Sequence, residues 1–141
     1  MRDILPPSLL AGACVVSMLV GCGRGSSNVV WRESFPSPDG RWVATATTIQ
    51  NGGFGSAHID TTVALKPSTG GTDQTVLALE CDGPIKHPYV LDNESNRGGS
   101  VDLTVRWESA VRLLISFNNH ARAEYQSSEA GPVSVVVKSS T

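Results

Sequence analysis

Residues 101–117 read VDLTVRWESAVRLLISF, and their periodicity decides the fold class. Val101, Leu103, Val105 and Trp107 alternate with Asp102, Thr104 and Arg106. After a short turn, Val111, Leu113, Ile115 and Phe117 repeat the alternation. Successive side chains of a strand point to opposite faces, so a period of two sends one set to a core and the other to water. The segment therefore predicts a hairpin in which Trp107 packs against the 111–117 strand. Trp42 is expected to cover the same core from its edge.

Working outward, Val133, Val135 and Val137 alternate in the same way. Further strands are expected at Val29–Ser34, Arg41–Gln50, Thr61–Lys66, Thr75–Glu80 and Arg122–Gln126. The stretches PSPDG, NGGFG, PSTGG and SSEAG separate them as turn signals. Ser37-Pro38-Asp39-Gly40 has the residue types of a type I turn, with proline at its second position and glycine at its fourth. It should fold the first strand back on the second. No segment carries a capped apolar stripe of helical period. The expectation is an all-β domain, a single small antiparallel meander closing into a sandwich or partial barrel.

The first 21 residues read differently. Leu9–Gly21 is an uncharged run of thirteen residues behind a short polar start containing Arg2 and Asp3. As a helix it would extend about 20 Å, short of the roughly 30 Å of a bilayer's hydrocarbon. Small residues close the run, as secretory processing requires. Residues 1–21 are thus expected to form a signal peptide, 22–27 a tether of the GRGSS type, and 28–141 the all-β domain. That domain has 114 residues, enough for one core.

Leu19-Val20-Gly21-Cys22 resembles the lipobox of bacterial lipoproteins at all four positions. The resemblance implies a thioether-linked lipid on Cys22, cleavage after Gly21 and acylation of the new amino terminus. The alternatives are a plain leader with a chance cysteine, or an uncleaved anchor. Attachment to a membrane through Cys22 and residence in the cell envelope follow from the resemblance. Gly23 stands where an Asp would signal inner-membrane retention. In a diderm organism this favours the outer membrane, facing the periplasm. SPDGRWVATAT, NGGFGSAHIDTTVALKP and VDLTVRWESAVRLLISF, in that order, also resemble a set of small bacterial envelope lipoproteins with no assigned reaction. Many of those have a cysteine in the first loop, where this chain has Gly52 and Gly53. SPDGRWVA alone is similar to the start of TolB-type propeller blades, but it occurs once, which makes a hairpin and not a propeller.

With the leader removed, ten basic residues face twelve acidic ones, a net charge of −2 with no basic run. Nucleic acid is not an expected partner. Cys14 leaves with the leader and Cys22 takes lipid, so Cys81 is the one remaining thiol. It continues the alternation Thr75, Leu77, Leu79, and should point inward as a small hydrophobe.

Chemistry-bearing residues are sparse. His58, His87 and His120 are dispersed, and a metal would need His58 and Asp60 plus a ligand from another loop. Ser56 with His58 and Asp60 has triad residue types too close in sequence for triad geometry. GGFG precedes no helix start or lysine, so it is not a phosphate cradle. No catalytic residue, metal site or cofactor is expected. The segment Asp82–Ser100, DGPIKHPYVLDNESNRGGS, is long for a connection in a β-domain, and long connections are often functional. Lys86, His87, Tyr89 and Arg97 make it the candidate binding loop. The competing view is a solvent loop braced by Pro84 and Pro88, with a short edge strand at Tyr89–Leu91. The expected function is a non-enzymatic binding module of the envelope, with a possible envelope protein as partner. The alternatives are an inhibitor-like lipoprotein that blocks an envelope hydrolase, and a small metal-dependent or serine hydrolase.

Overall fold

Alternating β-branched and aliphatic residues, punctuated by glycine and proline, leave the chain no route to a buried core except paired sheets. A computed structural model describes residues 27–52, 58–118 and 120–140. The expected signal peptide, the lipid attachment residue Cys22 and most of the tether lie outside these residues, as does Ser56. Nine strands run β1 (Ser27–Pro36), β2 (Trp42–Asn51), β3 (His58–Pro67), β4 (Gln74–Cys81), β5 (Thr104–Ser109), β6 (Arg112–Asn118), β7 (Ala121–Gln126), β8 (Glu129–Ala130) and β9 (Val133–Ser140). Ser27, expected in the tether, opens β1 and pairs with Asn51.

The fold is all-β, a small sandwich. One sheet has the order β1-β2-β3-β4-β7 and the other β5-β6-β9-β8. Strands β1 to β4 form the expected antiparallel meander. Beyond them the chain departs from a meander: β7 returns to pair with β4, whereas β6 and β9 pair in parallel. The parallel pair follows from the crossing, because β7 runs back in the opposite sheet between two strands of the same direction.

The core lies between the inner faces. Ala44, Ala46, Val63, Leu65, Leu77 and Leu79 of the first sheet meet Val105, Leu113, Ile115, Phe117, Val133 and Val135 of the second. Cys81 is buried as expected, and burial, the largest influence, pushes its thiol pKa up. Extra residues interrupt the ladders in β1, β4, β5 and β7, and the first two re-aim core side chains. In β1, Val29 pairs with Ile49 and Trp31 with Thr48, leaving Val30 as an extra residue. In β4, Val76 is extra between Thr75 and Leu77. An extra residue re-aims the side chains that follow it. Val30 with Trp31, and Val76 with Leu77, are consequently buried side by side.

The hairpin that set the fold class is present with two corrections. β5 begins at Thr104, not Val101, because the Leu103 N–H turns back to the Val101 carbonyl at 2.9 Å and breaks the extended run. Val101 is nonetheless buried. Val111 does not share the inward face of Leu113: it sits in the turn, 45% exposed. Trp107 and Trp42 both pack against the core at half-burial. Trp107 Nε1 donates to the Phe35 carbonyl at 2.9 Å, tying the edge of one sheet to the edge of the other.

The Ser37–Gly40 turn forms as expected. The Gly40 N–H donates to the Ser37 carbonyl at 2.9 Å, and Gly40 has φ of 70°. Asp39 accepts hydrogen bonds from the Ser37 hydroxyl and from Arg41, which lower its carboxyl pKa from 3.8 to about 2, the Ser37 bond counting most. A carboxyl whose folded pKa is depressed contributes fully above its unfolded value and loses that contribution as pH falls through its folded one. The thermal midpoint should therefore decline between pH 3.8 and about 2, and Asp39→Asn should remove part of that decline in midpoints measured across the interval.

Trp107 gives a second test. Trp107→Ala is expected to cost about 3 kcal/mol in chemical denaturation. Trp107→Phe keeps a smaller aromatic ring in the packing and removes the bond to Phe35, itself worth about 1 kcal/mol. Equal losses in the two variants would mean that the indole N–H, and not the packed ring, closes this side of the sandwich.

Candidate functional site

The residues between β4 and β5 decide which surfaces are left for binding. They form no strand at Tyr89–Leu91, and although Pro84 and Pro88 are exposed as in a solvent loop, Ile85 and Asn96 are buried. The segment lies across the opening of β1 and plugs one end of the sandwich, with Ile85 and Val101 entering the core. Gly99, at φ of 68°, rests on the buried pair Thr48 and Thr61, whose hydroxyls are 2.8 Å apart. A β-carbon there would stand 3.0 Å from Thr48, so glycine is what lets the chain settle this closely.

Asn96 is the hub, and it is buried. Its Oδ1 accepts the His87 N–H at 2.9 Å. Its Nδ2 lies 2.7 Å from the His87 carbonyl, 3.0 Å from that of Val90 and 3.3 Å from that of Val30. Two amide hydrogens are thus shared among three acceptors. The Val30 carbonyl, at the bulge of the edge strand β1, also accepts the Asp92 N–H at 3.0 Å. One position along, the Arg32 N–H donates to Asn93 Oδ1 at 3.0 Å. The loop therefore supplies side-chain and backbone partners to an edge strand that would otherwise face water.

Tyr89 is strained. It has φ of 62°, the one non-glycine residue with positive φ among those described. Such a conformation is an outlier for an aromatic residue and persists only where its surroundings fix it. Here the Tyr89 N–H donates to the buried Gln50 Oε1 at 2.9 Å, and Asn96 holds the residues on either side. Tyr89, Val90 and Leu91 consequently project together, 43%, 58% and 58% exposed.

The four candidate loop residues do not form one patch. Arg97 pairs with Glu33 at 3.0 Å and lines a cleft, whereas Lys86, His87 and Tyr89 do not. The cleft, of about 470 Å³, opens where the edges of β1 and β5 face each other. Trp31, Glu33, Phe35, Arg97, Leu103 and Val105 are among its walls. Trp31 is 1% exposed, and its indole N–H has no hydrogen-bond partner. The indole nitrogen is itself shut off from solvent, so this donor lies behind the cleft wall and is not offered to the cleft.

The histidines are kept apart. His58 opens β3 with its Nδ1 3.8 Å from Glu80, and its side chain is 69% exposed. Asp60 lies opposite Glu80 on the outer face and accepts from Asn51 Nδ2 at 2.9 Å. Glu80 is also paired with Arg122. Exposed pairs of this kind contribute little stability. Among the described residues, no group of three or more His, Cys, Asp or Glu side chains is placed to hold a metal ion. His87 is bound through its backbone to Asn96, and the His120 N–H donates to Asn118 Oδ1 at 3.1 Å.

Sequence reasoning missed Trp31, Glu33, Asn96 and Leu91. Trp31 lies in the apolar run Val29–Trp31, where alternation cannot assign a face. Asn96 stands among polar loop residues and gives no signal of burial. Leu91 belonged to a visible apolar triplet, Tyr89–Leu91, which could have been read as an exposed feature. Comparison with models of protein families, with curated proteins and with solved structures returned no match.

The hub can be tested directly. Asn96→Ala strands a buried N–H and frees three carbonyls, each unmet buried group costing about 1–3 kcal/mol. Hydrogen exchange should accelerate at Tyr89, Asp92 and Arg32 while Leu113 and Ile115 keep their protection. Unchanged exchange at Asp92 would show that the apolar contacts alone position the loop.

Proposed function

We propose that this chain is a lipid-anchored protein of a bacterial cell envelope that binds a partner polypeptide without catalysing a reaction. The observation carrying the binding reading is the cleft between β1 and β5, lined by Trp31, Phe35, Leu103 and Val105 with Glu33 and Arg97. Its size is in the range of small-ligand and peptide sites. An extended segment of a partner could lie along the edge of β5, pairing backbone with backbone, with Arg97 and Glu33 at hand for its charged groups. The lipid anchor rests on Leu19-Val20-Gly21-Cys22, and residence at the outer membrane of a diderm organism rests on Gly23. The non-enzymatic reading draws support from the separation of His58, His87 and His120 and from the inert setting of Cys81. Of the loop on which the inhibitor-like alternative relies, Tyr89–Leu91 projects while Ile85 and Asn96 are buried.

Two measurements on the full-length protein in cells test this. Fatty-acid labelling should mark the wild type and be lost in Cys22→Ser. A photo-crosslinking residue at Leu103 should give a discrete protein adduct that Arg97→Glu abolishes, whereas the same residue at Thr75 should not. Identical adducts from the two positions would overturn the cleft as the binding element.

A further inference from the structure

Tyr89, Val90 and Leu91 are three consecutive exposed apolar residues, held rigidly where loop residues are normally polar. We propose that this tip seats in the interface of the membrane that anchors Cys22, as a second contact that fixes how the sandwich stands on the bilayer. The proposal rests on the lipid-anchor reading above. Its first support is placement. Gln50, which accepts the Tyr89 N–H, pairs with Asn28, and the Asp92 N–H bonds to the Val30 carbonyl. The triplet therefore lies beside the first residues of β1, at the end where the chain enters from Cys22.

The second support is reach. Ser27 is five residues from Cys22, so even a fully extended connection spans at most about 18 Å. The Ser37–Gly40 turn and Val111 lie at the opposite end of strands as long as the ten-residue β3, about 30 Å further away. Anchoring at Cys22 thus brings the tip, and not those turns, to the lipid surface.

Chemistry and rigidity agree with this occupant. Tyrosine suits the boundary between headgroups and acyl chains, with valine and leucine beside it to enter the apolar layer. Lys86 and Arg97 are outnumbered by Asp82, Asp92 and Glu94 in the same segment, so attraction is apolar and not Coulombic. Asp92 in addition spends its carboxylate on the Glu94 and Ser95 N–H groups. Because the Asn96 hub already orders the tip, little conformational freedom is lost on seating it.

The test uses the mature lipidated protein in phosphatidylcholine vesicles containing nitroxide-labelled lipid. An environment-sensitive fluorophore is attached at Leu91→Cys or, as the control, at Val111→Cys, which is exposed to a similar degree at the far end. Both sites are on the surface, and matching thermal midpoints confirm that each variant is folded. The expected result is a blue-shifted emission quenched by the lipid nitroxide at position 91, with neither effect at position 111. Vesicle flotation with position 91 left in water overturns the tip contact and leaves the anchor standing. A label at position 91 that is shielded but not quenched by lipid is covered by a second copy of the chain, which also overturns it. Failure of the mature protein to float, with no fatty acid on Cys22, overturns the anchor reading and this proposal with it.

Discussion

The Val30 carbonyl is the constraint on which the other features depend. It lies at the β1 bulge, on the outer edge of a five-stranded sheet. Asp92 and Asn96 together satisfy it, and both come from the segment joining the two sheets. Each such bond adds only about 1 kcal/mol net, because water would serve the same groups in the unfolded chain. The hub therefore specifies where the segment sits, while burial of Ile85 and Val101 holds it there. If the register of β1 moved by one residue, the acceptor, the hub and the strained Tyr89 would lose their common origin.

The same bulge explains the cleft. It turns both Val30 and Trp31 inward, and the bulky indole then stands at the open side of the sandwich. Trp107 closes that side at the Phe35 end, and the loop closes it at the Val30 end. What remains between them is bounded by the two sheet edges and by Arg97. One segment of 22 residues between β4 and β5 thus contributes a wall to the cleft and the apolar tip beside it.

The all-β class and most strands were legible because alternation is a local signal. Leu113, Ile115 and Phe117 point inward as their spacing requires. Alternation fails wherever the chain inserts a residue, and nothing in Val29–Trp31 or Thr75–Leu77 marks where the insertion falls. It also fails at Val111, where the extra Glu108 in β5 shifts the turn. The parallel pairing of β6 with β9 was illegible for another reason: it depends on β7 joining the other sheet, a choice made by β4's free edge and not by any residue of β6 or β9. The loop's composition identified a surface of interest, yet its division into a buried hub, a tip and a cleft wall exists only once β1 is in place.

Edge strands expose unpaired backbone, and folded proteins ordinarily shield them. Here β8 is two residues long, and β7 carries Arg122 and Glu124. The start of β1 lies under the loop, its backbone groups met by Asp92, Asn93 and Asn96. β5 is protected unevenly: Arg106 and Glu108, with Arg112 from β6, form an ion-paired group toward its end. Thr104 and Val105, at its start, have no such guard and border the cleft. A molecule that covers its other edges by three different devices leaves this one beside a cleft of mixed polarity, where Glu33 and Arg97 face Leu103 and Val105. That unguarded edge is the physical reason to look for a partner strand at the start of β5 and not on the threonine-rich outer face of the larger sheet, where Thr45, Thr47 and Thr62 line a shallow surface between fully paired strands.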